Sequence, residues 1–189
     1  MTIITANIYQ DGNEGLMGKL DYPIGNRRFG EKIHLSGTEV PILVANHTVR
    51  VGPVRIEGTS TGLYTTADAF GAKFSVLVPT SGVIQSVQFY DLDDEGVNTE
   101  IWLFNQDFTG TTDNLAFAVS DTDLLKVVSS ILVNTFRDAA SNQIGVLDNL
   151  GISYIAPTGR LWIQCVTRGG PTIAAGQEPF LAFTILSDD

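Results

Sequence analysis

Val83-Ile84-Gln85-Ser86-Val87-Gln88-Phe89-Tyr90-Asp91-Leu92 is rich in β-branched and aromatic residues and carries no helical period, which predicts a strand. A period of two places Val83, Val87 and Phe89 on one face and Ile84, Tyr90 and Leu92 on the other. Apolar residues on both faces imply that the strand is covered on both sides, as in a domain whose two sheets bury a common core. Asp93-Asp94-Glu95-Gly96 supplies turn chemistry, and Glu100-Ile101-Trp102-Leu103-Phe104 reads as the returning strand of a hairpin.

The same pattern extends outward in both directions. Upstream, Lys73-Phe74-Ser75-Val76-Leu77-Val78 predicts a strand with Phe74, Val76 and Val78 on one face, closed by the turn Pro79-Thr80-Ser81-Gly82. Thr48-Val49-Arg50-Val51 and Val54-Arg55-Ile56 alternate around Gly52-Pro53, as an interrupted edge strand does. Downstream, Ser120-Asp121-Thr122-Asp123 resembles a capping box, with a hydroxyl N-cap and an acid three residues later. The β-branched run Val127-Val128-Ser129-Ser130-Ile131-Leu132-Val133 limits that helix to about two turns. Further strands are predicted at Arg160 to Thr167 and Phe180 to Leu186, separated by a segment opening with Gly169-Gly170-Pro171. The fold class that follows is all-β: an antiparallel β-sandwich or jelly-roll-like domain with one short helix, over 51–189. No strand-helix-strand rhythm with long amphipathic helices occurs, which argues against Rossmann-like and α/β-barrel enzymes.

Residues 1–50 read differently. Short apolar patches, Ile3-Ile4 and Pro41-Ile42-Leu43-Val44-Ala45, stand among Gly, Asn and isolated charges, with turn chemistry at Asp11 to Gly15 and Pro23 to Asn26. Two readings stand: an extended N-terminal arm lying against something else, or irregular edge strands of the same domain.

The bulk numbers narrow the function classes. The chain has 189 residues, 43% hydrophobic and 17% charged, enough for one core without metals or disulfides. A formal net charge of −10 and a pI near 4.4 argue against direct nucleic-acid binding, which depends on Lys and Arg neutralising phosphates. Such a surface suits docking onto a basic one. Cys165, the single cysteine, lies in the apolar run Leu161-Trp162-Ile163-Gln164-Cys165-Val166 and reads as a buried hydrophobe rather than a reactive thiol. Met1 to Asn7 lacks a basic n-region, and no stretch approaches a membrane span, so synthesis in a cytosol and no membrane partner are expected.

No catalytic, cofactor-binding or metal site is expected. The only histidines are His34 and His47. They lack the closely spaced Cys, His or carboxylate partners of a zinc site and any Gly-x-Ser-x-Gly elbow. Asp91-Leu92-Asp93-Asp94-Glu95-Gly96 imitates the start of a calcium loop, but its twelfth position is Trp102 where a bidentate Glu is required. A solvated turn is the expectation, with weak calcium binding at Asp91–Glu95 as its alternative. The aromatics Phe70, Phe74, Phe89, Phe104, Phe108, Trp102 and Trp162 fall in or beside strand candidates and are expected in the core rather than on a glycan-stacking platform.

Several pieces together carry a resemblance. They are Tyr64-Thr65-Thr66-Ala67-Asp68-Ala69-Phe70-Gly71, Ser81-Gly82-Val83-Ile84-Gln85-Ser86-Val87, Leu103-Phe104-Asn105, and Asn114-Leu115-Ala116-Phe117-Ala118-Val119-Ser120-Asp121. The run Leu161 to Val166 and the closing Ile185-Leu186-Ser187-Asp188 complete the set. From about Gly62 to Asp188 the chain resembles a family of small bacteriophage proteins encoded among virion genes. The resemblance implies a virion component without catalytic residues, located on the capsid surface. Its expected role is that of a decoration (cement) protein binding the major capsid protein as a homo-oligomer, with capsid symmetry favouring a trimer. The residues expected to bind the partner are the apolar residues of the arm, Ile3, Ile4, Ile42, Leu43 and Val44. Rival readings are a tail or head-fibre component meeting host glycan through exposed Trp102 or Trp162, and a virion-borne hydrolase using His34 or His47.

Overall fold

A computed structural model describes residues 47–188 and, before them, only the backbone of four three-residue strands. These are β1 (Ile8–Gln10) paired antiparallel with β2 (Leu16–Gly18), and β3 (Ile33–Leu35) paired antiparallel with β4 (Thr38–Val40). The arm residues Ile3, Ile4, Ile42, Leu43 and Val44 lie outside the described residues.

From His47 onward the chain forms two antiparallel sheets. The first contains β5 (His47–Arg55), β7 (Ser81–Asp91), β10 (Phe136–Asp138), β11 (Gln143–Leu147), β12 (Ile152–Ile155) and β14 (Phe180–Ser187). Its order is β10-β11-β7-β14-β5, with β12 beside β11 along the same edge of β7. The second contains β6 (Ala69–Leu77), β8 (Thr99–Phe104), β9 (Val127–Val133) and β13 (Arg160–Thr167), in the order β6-β13-β8-β9. Ile84, Val87, Phe89, Leu181, Phe183 and Ile185 of the first sheet share one buried cluster with Val76, Ile101, Leu103, Ile131, Leu161 and Ile163 of the second. Each such side chain taken fully out of water contributes ~1.5–3 kcal/mol. The all-β sandwich expected from the sequence is the fold observed.

Three local expectations are corrected. Strand β7 does not keep its period of two: Thr184 pairs with Ser86 but Ile185 with Ile84, which leaves Gln85 as a bulge. One extra residue reverses the faces, so Ile84 joins Val87 and Phe89 in the core, while Tyr90 turns outward to receive Arg50. Nor do β7 and β8 form a hairpin, because the Asp93–Gly96 turn carries the chain across to the other sheet. The connections β5 to β6 and β6 to β7 also cross between sheets, which is jelly-roll behaviour. The helix α1 (Asp121–Leu124) is a single turn, shorter than the two expected, because Lys126 N–H closes back onto Asp123 O and the β-branched strand begins at Val127. Its cap is as expected: Ser120 Oγ accepts from the Asp123 amide at 3.1 Å.

The interrupted edge strand around Gly52-Pro53 is one continuous strand, β5, and it does lie at a sheet edge. It is also bulged, since Leu181 pairs with Val54 and Phe183 with Val51.

Candidate functional site

A cluster of charged and aromatic side chains lies on the outer face of the second sheet, beneath the connection from β8 to α1. Strand alternation sends Ile101 and Leu103 into the sandwich and Trp102 outward. Residues 105–120 cross this outer face as a strap. Phe108 stacks on Phe104 with ring centroids 3.8 Å apart, and Phe117 lies tilted over Trp102 at 5.3 Å. Of the aromatics expected in the core, Phe70, Phe89, Phe104 and Phe108 are buried, whereas Phe74, Trp102 and Trp162 are half-buried.

A buried amide and a half-buried carboxylate fix the strap to the sheet. Gln164, fully buried on β13, donates from Nε2 to Thr111 O at 2.6 Å and to Gly71 O at 3.2 Å. Its Oε1 accepts from the Thr111 amide at 3.0 Å. Asp113 ties the strap to β6: Oδ1 accepts from Tyr64 Oη at 2.8 Å and Gly71 N at 2.7 Å, and Oδ2 accepts from Ser60 N at 2.8 Å. Burial, the largest cause, pushes the Tyr64 phenol well above its ordinary range, so it stays protonated as a donor. Gly71 has φ +82°, and a Cβ there would meet Ile56 Cγ2 at 2.6 Å, so only glycine fits this crossing point.

At the other end of the strap two lysines and two aspartates border an open cleft of about 440 Å³. Lys73 Nζ meets Asp107 Oδ1 at 2.6 Å and donates to Phe108 O, with the rings of Phe108 and Trp162 at 5.5 and 5.2 Å. Lys126 Nζ meets Asp123 Oδ1 at 2.6 Å and donates to Asp107 O at 2.7 Å. The hydrogen bond from Lys73 holds the Asp107 carboxyl below its usual range. Asp123 is lowered to about 2, first by Lys126, then by the Thr109 amide. Both cations are already neutralised, so an incoming anion would have to displace a carboxylate. The arrangement is an internal latch rather than a binding pocket.

The acidic turn is closed in the same way. Asp91, 5% exposed, accepts from Asp93 N at 3.1 Å through Oδ1, and from Gly96 N at 2.8 Å and Gln143 Nε2 at 3.1 Å through Oδ2. Asp93 Oδ2 accepts from Ala174 N at 2.6 Å. These carboxylates cap amide donors, and among the described residues no group of three or more His, Cys, Asp or Glu is placed to hold a metal ion. His47 stands exposed at the start of β5 opposite Ser187, and for His34, on β3 opposite Glu39, only the backbone is described. Cys165 is fully buried, and burial pushes its thiol far above the usual range, as expected of a packing residue.

Sequence reasoning passed over the residues that build this strap. Gln164 stood in view as a polar residue in an apolar strand, but its partners Thr111 and Gly71 are far away in the chain. Asp113, in Gly110-Thr111-Thr112-Asp113-Asn114, carried the signal of an ordinary polar turn. No family model matches this chain, and neither does any curated protein or solved structure.

Proposed function

We propose that this chain is a structural component of a bacteriophage virion, a decoration (cement) protein that sits on the outer capsid surface and bridges neighbouring capsid subunits. The observation that carries the reading is that its charged clusters are closed on themselves. Asp91, Asp113 and Asp123 accept from main-chain amides, and Lys73 and Lys126 pair with aspartates. Charge used in this way makes a rigid domain, which suits a protein whose work is to add contacts across joints in a shell. The net charge of −10 suits a basic docking surface on the major capsid protein. The resemblance from Gly62 to Asp188 supplies the bacteriophage class. Among the described residues no helix is long and apolar enough to cross a membrane.

The rival role of a host-binding fibre component needs an open aromatic platform. Trp102 lies under Phe117 of the strap, and Trp162 lies beside the Lys73 ammonium, so each indole already has a partner. Partner binding is assigned to the apolar residues of the N-terminal segment, Ile3, Ile4, Ile42, Leu43 and Val44. Cryo-electron microscopy of intact particles tests the location: density on the outer capsid surface is expected, and density confined to the tail or fibres would overturn the reading. Occupancy of particles by the chain lacking 1–46 tests the arm. It should fall at least about tenfold, the equivalent of ~1.4 kcal/mol, and unchanged occupancy rules out the arm as the binding element.

A further inference from the structure

The outer faces of the two sheets are not covered alike. The second sheet carries the strap. Over the first lies no element described from His47 onward, since the strands of the second sheet pack on its inner face and α1 belongs with the strap. Leu181, Phe183 and Ile185 of β14 and Ile84, Val87 and Phe89 of β7 point into the sandwich. Alternation and the Gln85 bulge therefore turn Ala182, Thr184 and Leu186, with their partners Gln88, Ser86 and Val83, outward. A sheet face left to solvent is polar and exposed. Of these six residues none is exposed: Ala182 and Ser86 keep 1% and 8% of their surface, and the others are half-buried. Half-buried Val146, opposite Gln88, extends the apolar area.

One part of this chain enters at that face. Residues 1–46 join the domain at His47, the first residue of β5, which is an edge strand of this same sheet. Thr48 pairs with Leu186, and Leu186 with Val83, so the chain arrives beside two of the outward apolar side chains. The hairpin β3–β4 ends at Val40, six residues before β5. Its register sets Ile33 opposite Val40 and Leu35 opposite Thr38, with His34 opposite Glu39 between them. Apolar residues at alternate positions are the pattern of a strand pair covered on one side, and a lone two-stranded hairpin needs a surface to pack on. A link of six residues spans up to ~20 Å, whereas β7 lies only ~10 Å, two strand spacings, from β5. Charge agrees with this placement. Outward strand positions of the face hold Arg50 and Arg137, with Arg55 paired to Glu178, and no acidic residue. The hairpin holds Glu39 and neither Lys nor Arg.

We propose that the hairpin β3–β4 packs on the outer face of its own chain's first sheet, over Val83, Ala182 and Leu186, so that each sheet of the sandwich has its own cover. Ile3 and Ile4, at the far end of the chain, are left free of this contact.

A spin label on Ser36→Cys of the full chain, in the hairpin turn, tests this by NMR, because Cys165 is buried and does not take the label. The amide signals of Val83, Ser86, Ala182 and Leu186 should be lost and should return when the label is reduced. Those of Ser130 and Leu132, on β9 of the second sheet, should persist. Leu186→Glu, with unchanged circular dichroism, should restore the signals of Val83 and Ala182. Spin-labelled chain mixed with isotope-labelled wild type should cause no loss. Signals retained at all four residues, equal loss on β9, or loss unchanged by Leu186→Glu would overturn the packing. So would loss in the mixed sample, which would put the hairpin on another copy. The outcome is separate from the virion reading: an undocked hairpin in a chain found on capsids sinks only the packing, and a docked hairpin in a chain absent from virions sinks only the capsid role.

Discussion

Gln164 occupies a position where an apolar residue would satisfy the pattern of β13 and fail the strap. Its amide makes three hydrogen bonds, two donated and one accepted, to Thr111 and Gly71. Replacing it with Leu keeps approximate volume but leaves the Thr111 amide and two carbonyls without partners. Each unsatisfied buried group costs ~1–3 kcal/mol, though relaxation and entering water recover part of it. Gln164→Leu should therefore lower unfolding free energy in urea by about 2–4 kcal/mol. It should also speed hydrogen exchange at Thr111 more than at strand amides such as Ile163. Uniform acceleration across the sheet would show that Gln164 acts through global stability alone. A polar residue inside an apolar run was legible as an anomaly. What it bonds to was not, because its partners come from distant segments brought together only by the sheet and the strap.

At the scale of elements, the strap and α1 form one unit held by ionic groups at one end and by Gln164 and Asp113 at the other. Lys126, then the Thr109 amide, lowers the Asp123 carboxyl from 3.8 to about 2. A carboxylate depressed in the folded state adds stability that is complete above its unfolded value and is lost as pH falls through its folded value. Acid sensitivity is therefore expected between about pH 4 and pH 2, and Lys73 shifts Asp107 in the same direction. Thermal unfolding followed across that window should show a steep fall in midpoint for the wild type. Asp123→Asn should be less stable at pH 7 and less steep in acid. An identical slope would remove Asp123 from the latch. The cap of α1 was legible because Ser120 and Asp123 are neighbours in the chain. The latch was not, since Lys73 and Asp107 belong to different elements.

For the whole molecule, the decisive contacts are those between the sheets. Gly145 on β11 lies where the two sheets close: a Cβ there would come within 2.4 Å of Val133 Cγ1 on β9 and 3.3 Å of the Phe136 ring. Val133 is fully buried and stiff at χ1, so Gly145→Ala should cost about 1–3 kcal/mol by overpacking. Calorimetry would check this, and a neutral result would mean that the corner yields. Composition and the period of two by themselves determined that this chain is all-β, where most of its long strands lie and that one short capped helix interrupts them. Those properties are local, set by backbone sterics and by the alternation of side chains along a strand. Only the tertiary structure decided that β7 and β8 lie in different sheets, that Gln85 bulges and sends Ile84 inward, and that the strap covers the outer face of β8 and β13. Pairing depends on residues remote in sequence, and one bulged residue reverses every face beyond it. A pattern read along the chain therefore carries strand positions but neither partners nor phase.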